Sequence, residues 1–309
     1  MKRKIAMFFV VLIFLAGVGV MSYPLISSMV NNYSARNESY EYIQEAVEYV
    51  DEEKETYFAE ADEYNKSLTS NVIITDPFDE EAYKKIGANY ETTLDFNENG
   101  IIGYVDIPKI DVYLPIYHGT DTEVLSKGVG HLQNTSFPVG GPDTHSVISA
   151  HSGYPGETFF DYLTDLEVGD EFYIQVLDRK LKYVVDQIKV VLPDTVEDLR
   201  ITAGADHVTL LTCTPYSINT HRLLVRGTRV EYSEPVEEIK APSLIRTEKN
   251  YMFFLGYRIP YWVAVSVIIG FVFLVVIIVI IKIRKSRKKQ PKHSAENISS
   301  LSYHSEDGD

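Results

Sequence analysis

The chain has 309 residues, a formal net charge of −15, 45% hydrophobic residues and one cysteine. That length holds one domain of about 150–200 residues plus extras, or two small domains. A single cysteine excludes an internal disulfide framework and zinc sites of the multi-cysteine kind, and the acidic balance argues against a general nucleic-acid binder.

In chain order, residues 1–4 form a basic start, Met1-Lys2-Arg3-Lys4, before an apolar run from Ile5 to Met21. Such a start marks either a cleaved signal peptide or an uncleaved anchor. No small-x-small cleavage site follows, and the run is long for a signal core, so 5–30 reads as an N-terminal membrane anchor or signal segment, with the anchor favoured. Residues 31–70 form a helical region. Ile43, Val47, Val50, Tyr57, Ala61, Tyr64 and Leu68 recur three to four apart, with a break near Lys54, which is one narrow apolar helix face. It serves as a stalk or lid support, or simply packs on the domain. Residues 71–90 include Asp76-Pro77-Phe78; proline ends helical continuation and extends the residue before it, so this stretch is a loop. Asp95, Asn97, Asn99, Gly100 and Asp106 match most of a calcium loop, but Asn99-Gly100 is also a turn and no second helix follows. A turn entering the first strand is the better reading.

Residues 91–232 change character. Ile101–Val105, Val147–Ala150, Phe172–Val176, Tyr183–Val185, Val208–Leu211 and Leu223–Val225 are short runs rich in β-branched, aliphatic and aromatic residues, punctuated by Gly, Pro, Asp and Asn. They predict a mainly β sandwich or barrel. Residues 233–260 read as a polar linker. Residues 261–281, Tyr261 to Ile281, are 21 residues without a charge, and a spanning helix needs about 20. Tyr257, Tyr261 and Trp262 mark its outer interface, and residues 282–309 form a basic tail that turns polar and disordered towards its end.

Positive charge marks the cytoplasmic side. Residues 31–251 carry 18 Lys+Arg and 40 Asp+Glu, against 11 and 4 in the two ends. Both basic ends therefore read as cytoplasmic and the acidic middle as an extracellular domain at the cell membrane.

Cys213 closes the strand-like run Thr209-Leu210-Leu211-Thr212 and precedes the turn at Pro215. A thiol ordinarily titrates near ~8.5 and needs a nearby cation or base to become a strong nucleophile; taken alone, a lone cysteine is more often a small buried hydrophobe. Arg222 follows nine residues later at the start of another strand-like run. If a turn joins the two strands, Cys213 and Arg222 are cross-strand neighbours, and the guanidinium can stabilise a developing oxyanion. His151 also stands at a strand end, before Ser152-Gly153-Tyr154. His118, His131, His145, His207 and His221 have no comparable setting and read as structural or surface groups.

Thr209-Leu-Leu-Thr-Cys213 with Arg222 resembles the signature of the sortase family, and Ala-His151-Ser-Gly matches that family's catalytic histidine segment. Ile101–Ile110, Leu114–Gly119 and Gly128–Leu132 are similar to its early barrel segments. Asp76-Pro77-Phe78 resembles the lid of class C, pilus-building sortases, which also carry N-terminal helices and a C-terminal membrane helix. The resemblance implies a closed β-barrel with N-terminal helices, flanked by two membrane-spanning helices. It implies Cys213 as nucleophile, His151 as acid–base, Arg222 as oxyanion and substrate holder, and Thr212 as a supporting hydroxyl donor. Asp76 would approach Arg222, and Phe78 would lie over Cys213 or His151. The implied reaction cleaves a Leu-Pro-x-Thr-Gly-like signal between Thr and Gly through a thioester. The implied partners are pilin or surface proteins bearing that signal, with a pilin lysine as amine acceptor; no cofactor, metal or nucleic acid is implied. The alternatives are a sortase that attaches proteins to the cell wall, a hydrolytic thiol peptidase, and a non-catalytic membrane-anchored binding domain.

Overall fold

The computed structural model describes residues 2–68, 74–78, 90–155, 157–232, 251–254 and 257–287. The contacts divide the chain into two units, Met1–Lys249 and Asn250–Asp309.

In the first unit, helix α1 runs from Lys2 to Glu48 and helix α2 from Asp51 to Ser67. Asp51, Glu52 and Glu53 sit in the first turn of α2 and Lys66 in its last, the charge order that the helix dipole favours. The gap in apolar recurrence near Lys54 lies within α2, where the Lys54 ammonium is 3.5 Å from Asp178; the two helices part at Tyr49–Val50. Helix α1 runs unbroken through residue 30.

Eight strands follow: β1 Ile101–Ile107, β2 Val112–His118, β3 Val129–His131, β4 Thr144–Ser149, β5 Glu171–Val176, β6 Arg179–Val191, β7 Asp206–Thr214 and β8 His221–Val230. They close into a barrel in the order β1-β2-β3-β4-β7-β8-β6-β5. Pairs β2–β3 and β4–β7 are parallel and the others antiparallel. A short helix α3, Thr122–Lys127, links β2 to β3 and is capped by Asp121, which accepts from Val124 N at 2.9 Å. Alternate residues of each strand fill the interior, among them Val105, Ile107, Ile148, Phe172, Tyr183, Val208, Leu210 and Val225, as the period of two requires. At Gly227 a Cβ would stand 2.5 Å from the Phe172 ring, so only glycine lets β8 cross that ring. Strand β6 is longer than the expected Tyr183–Val185, because its alternating Lys, Asp and Gln residues hide it in composition while facing outward.

The expected turn before the barrel is present. Asp95 Oδ1 accepts from Gly100 N and Asn99 Oδ1 from Ile101 N, both at 2.9 Å. Among the described residues no three His, Cys, Asp or Glu side chains gather as a metal site.

Both helices are fastened to the barrel. Arg36 pairs with Asp111 at 3.0 Å, and Tyr42 OH donates to Ile102 O at 3.0 Å while accepting from Leu177 N at 2.9 Å. Asn65 on α2 exchanges two hydrogen bonds with the buried Phe137 backbone, at 2.7 and 3.2 Å. Buried polar backbone needs such partners, each worth about 1 kcal/mol net.

In the second unit, strands β9 Tyr251–Phe254 and β10 Tyr257–Pro260 pair antiparallel, and helix α4 spans Tyr261–Arg287. The end of the expected 233–260 linker is thus a hairpin, consistent with the β-preference of its aromatic run. The rest of that linker, the tail beyond residue 287, and residues 69–73 and 79–89 of the loop region lie outside the described residues. Several side chains of α4 do too, and among the described residues no helix is long and apolar enough to cross a membrane.

Candidate active site

The parallel pair β4–β7 positions the site. Its ladder ends where Ala150 N donates to Leu211 O at 3.1 Å. Two hydroxyls then bridge the strands as they part: Thr212 Oγ1 donates to Ala150 O at 2.7 Å and Ser152 Oγ to Cys213 O at 2.8 Å. They flank His151 on one strand exit and Cys213 on the other, which fixes the histidine loop against the cysteine strand. In the antiparallel pair β7–β8, Cys213 stands directly opposite Arg222, as the strand–turn–strand reading required. The turn between them holds a cis Thr214–Pro215 peptide and closes with Ile218 N and Asn219 N on Pro215 O.

Asp76 meets Arg222 across 146 residues of sequence. Arg222 Nε donates to Asp76 Oδ1 at 2.8 Å and Nη2 to Oδ2 at 2.5 Å, a bidentate pair. Arg222 Nη1 donates to Asn219 O and His221 O, each at 3.1 Å. Phe78 lies 5.3 Å from the His151 ring and 5.0 Å under the Arg222 guanidinium, ring centroid as reference. On the other side Tyr154 stacks on His151 at 5.1 Å and 17°. Pro77 is buried between these two contacts. Ile74 and Phe78 pack against a cluster of Leu132, Val147, Leu199, Leu211 and Leu224.

Electrostatics follow from this cover. Burial pushes the Cys213 thiol up to about 11; Arg222 opposes that rise and Asp76 adds to it. Burial also lowers the His151 imidazole below its ordinary value. No hydrogen bond joins Cys213 to His151 among the described residues. In this covered form both groups are neutral near pH 7, and Arg222 is committed to Asp76.

The structure brings together Cys213, His151, Arg222, Asp76, Pro77 and Phe78. Thr212 departs from expectation. Neighbouring strand residues point to opposite faces, so its hydroxyl turns away from the thiol and gives its proton to Ala150. That hydrogen bond holds the strand exit. Ser152 and Tyr154 were passed over in the sequence, although both sit within three residues of His151. Asp161 was missed too; buried, it accepts a short hydrogen bond from Gly153 N, and Phe160 N closes the loop on His151 O at 3.1 Å. Only a spacing that folds back on the histidine would have signalled it. Of the other histidines, His118, His131 and His145 are buried and bonded to backbone carbonyls.

A closed eight-stranded barrel with cysteine, histidine and arginine gathered at adjoining strand exits defines a cysteine-centred barrel enzyme. A family model described as the sortase domain matches residues 105–230. Among solved structures, sortase C-1 from Streptococcus pneumoniae is 46% identical with a TM-score of 0.60, covering 63% of this chain and 99% of that one. A pilus-related sortase C of Group B Streptococcus is 47% identical with a TM-score of 0.57, covering 63% and 97%. Sortase D of Bacillus subtilis is 30% identical over 131 residues, which are 41% of this chain and 63% of that relative. The matched region spans 52% of sortase A from Streptococcus agalactiae. The chain belongs to the sortase family, and its structural relatives place it in class C.

Proposed function

We propose that the chain is a membrane-anchored cysteine transpeptidase that polymerises pilus subunits. The observation that carries this reading is Cys213 opposite Arg222 on β7–β8, with His151 stapled alongside by two hydroxyl hydrogen bonds. Cys213 Sγ attacks the Thr carbonyl carbon of a Leu-Pro-x-Thr-Gly-like signal. As the tetrahedral adduct collapses, the Thr–Gly C–N bond breaks and His151 delivers its proton to the leaving amine. Arg222, freed from Asp76, faces the oxyanion. A pilin lysine amine then attacks the thioester, its proton passes to His151, and the C–S bond breaks to give an isopeptide and the Cys213 thiolate beside the His151 imidazolium, the pair that began the cycle.

Asp76, Pro77 and Phe78 act as a lid. While it is down, Arg222 is paired and Cys213 is a neutral thiol. Raising it removes the Asp76 charge and hydrates both groups, so the thiol falls and the imidazole rises towards the ion pair that attacks. The apolar runs near each end, 5–30 and 261–281, anchor the enzyme with its barrel on the extracellular side. Substrates that carry their own membrane segments are then confined to the same plane, which raises their effective concentration.

Intact-mass analysis of the full chain in detergent, with a Leu-Pro-x-Thr-Gly peptide and with or without a pilin-lysine peptide, tests this. The expected result is an acyl adduct on Cys213 that transfers to the amine. An adduct that persists in Cys213→Ala would overturn the nucleophile. Equal hydrolysis with and without the amine would favour a thiol peptidase, and transfer only to a wall-precursor amine would favour wall attachment.

A further inference from the structure

We propose that a groove at the far end of β4–β7 is a second peptide subsite, which takes the two or three residues immediately preceding the sorting motif. This rests on the transpeptidase reading above. The groove has a volume of about 920 Å³ and lies between the end of α2, the loop Val139–Thr144 and the stretch Leu199–Ala203.

Its place relative to the thiol is fixed by register. The groove reaches Thr144 and His145, which pair with Asp206 and His207 on β7, and Cys213 lies six residues beyond His207. At ~3.3 Å per residue that is about 20 Å. A bound Leu-Pro-x-Thr segment, with Thr at Cys213, covers only about 10 Å of this distance. The remainder is long enough for about three more extended residues.

The two regions are continuous. Ile74 and Leu199 line the groove and also pack in the apolar cluster that holds Phe78. Described residues on either side of the lid already mark points along this path. Leu68 lines the groove, Ile74 sits where groove and cluster meet, Asp76 is on Arg222 and Phe78 is on His151. That order runs N- to C-terminal from groove to catalytic centre, the sense in which an acyl donor must also run.

The groove walls are built in advance. Gly141 N donates to Asp206 Oδ2 at 2.8 Å and Gly204 N to Asp143 Oδ1 at 2.6 Å. These bonds tie the Val139–Thr144 loop to the start of β7 and to the turn after Ala203. Gly141, at φ +113°, holds a backbone conformation open to glycine alone. Leu68, Val139 and Ile201 supply apolar wall, while Lys66, Asp143 and Arg200 supply charge of both signs. That mixture fits an extended polypeptide rather than a compact anion or a lipid tail.

The test compares two acyl-donor peptides on the full chain carrying Asp76→Ala and Phe78→Ala, so that the lid does not mask entry. One peptide is the bare motif with its glycine; the other adds three upstream pilin residues. The longer peptide is expected to acylate Cys213 with a kcat/KM about tenfold higher, equivalent to ~1.4 kcal/mol. Adding Ala203→Trp, which fills the groove, should bring the ratio of long to short close to one. Equal kcat/KM for the two peptides would overturn the subsite, as would an advantage that survives Ala203→Trp. Failure of both peptides to acylate Cys213 would overturn the transpeptidase reading itself, and the subsite with it.

Discussion

Arg222 meets Asp76 through two parallel hydrogen bonds and turns its remaining edge to Asn219 and His221. A planar fork satisfies that arrangement and a point charge does not. Arg222→Lys is therefore expected to lower kcat by roughly a hundredfold, the scale for removing an oxyanion donor, measured by steady-state transfer to an amine; a rate within about twofold of the parent would remove Arg222 from the chemistry. Cys213 gives a second expectation at this scale. Its thiol is pushed up by burial first, with Asp76 adding to the rise. The rate of its alkylation should therefore inflect well above neutral pH. Asp76→Asn removes a negative charge, so the thiolate becomes easier to form and the inflection moves to lower pH. An unchanged profile would show that Asp76 does not govern the thiol.

The His151–Asp161 loop acts as one element. Burial pushes Asp161 up to about 6 from an ordinary 3.8, with the Gly153 N–H opposing. The sign follows from linkage: between these values the unfolded chain loses a proton that the folded one keeps, so the contribution of Asp161 to stability falls as pH rises through that window. Asp161→Asn keeps an acceptor for Gly153 and has no charge to bury. Urea midpoints should rise for this variant above pH 6, and the slope between about pH 4 and 6 should flatten; a parallel pair of curves would refute the assignment. The same loop shows what sequence can and cannot carry. His151 was legible because a short β-branched run ends just before it, and Cys213 and Arg222 because two strand-like runs flank a proline turn. The direction of the Thr212 hydroxyl, towards Ala150, was not legible because one step along a strand reverses the face. The Asp76–Arg222 pair was reached only through resemblance, since no local pattern links residues 146 apart. Strand β6 stayed mostly hidden because its outward Lys, Gln and Asp residues mask a buried alternate set.

At the scale of the molecule, α1 runs without a break from Lys2 to Glu48. Its first part carries the apolar run Ile5–Met21, and its later turns grip the barrel through Arg36, Glu38 and Tyr42. On the membrane reading proposed above, a seven-residue helical insert after Leu25 raises the barrel by about 10 Å. Transfer between membrane-embedded pilins should then fall severalfold, while acylation by a soluble peptide holds. Equal losses in both assays would mean that the insert damaged the barrel, and no loss in either would mean that α1 does not set position.

On the proposed membrane reading, that unbroken helix would make the enzyme a fixed-height tool. From Met21 to Arg36 is fifteen residues, about 22 Å of helix. The catalytic centre would then be carried at a set elevation instead of swinging on a tether. A donor whose sorting motif lies too near or too far from its own anchor would meet the barrel at the wrong level. The stalk would then sort substrates by the length of their spacer, in addition to their motif, as a gauge sorts by dimension.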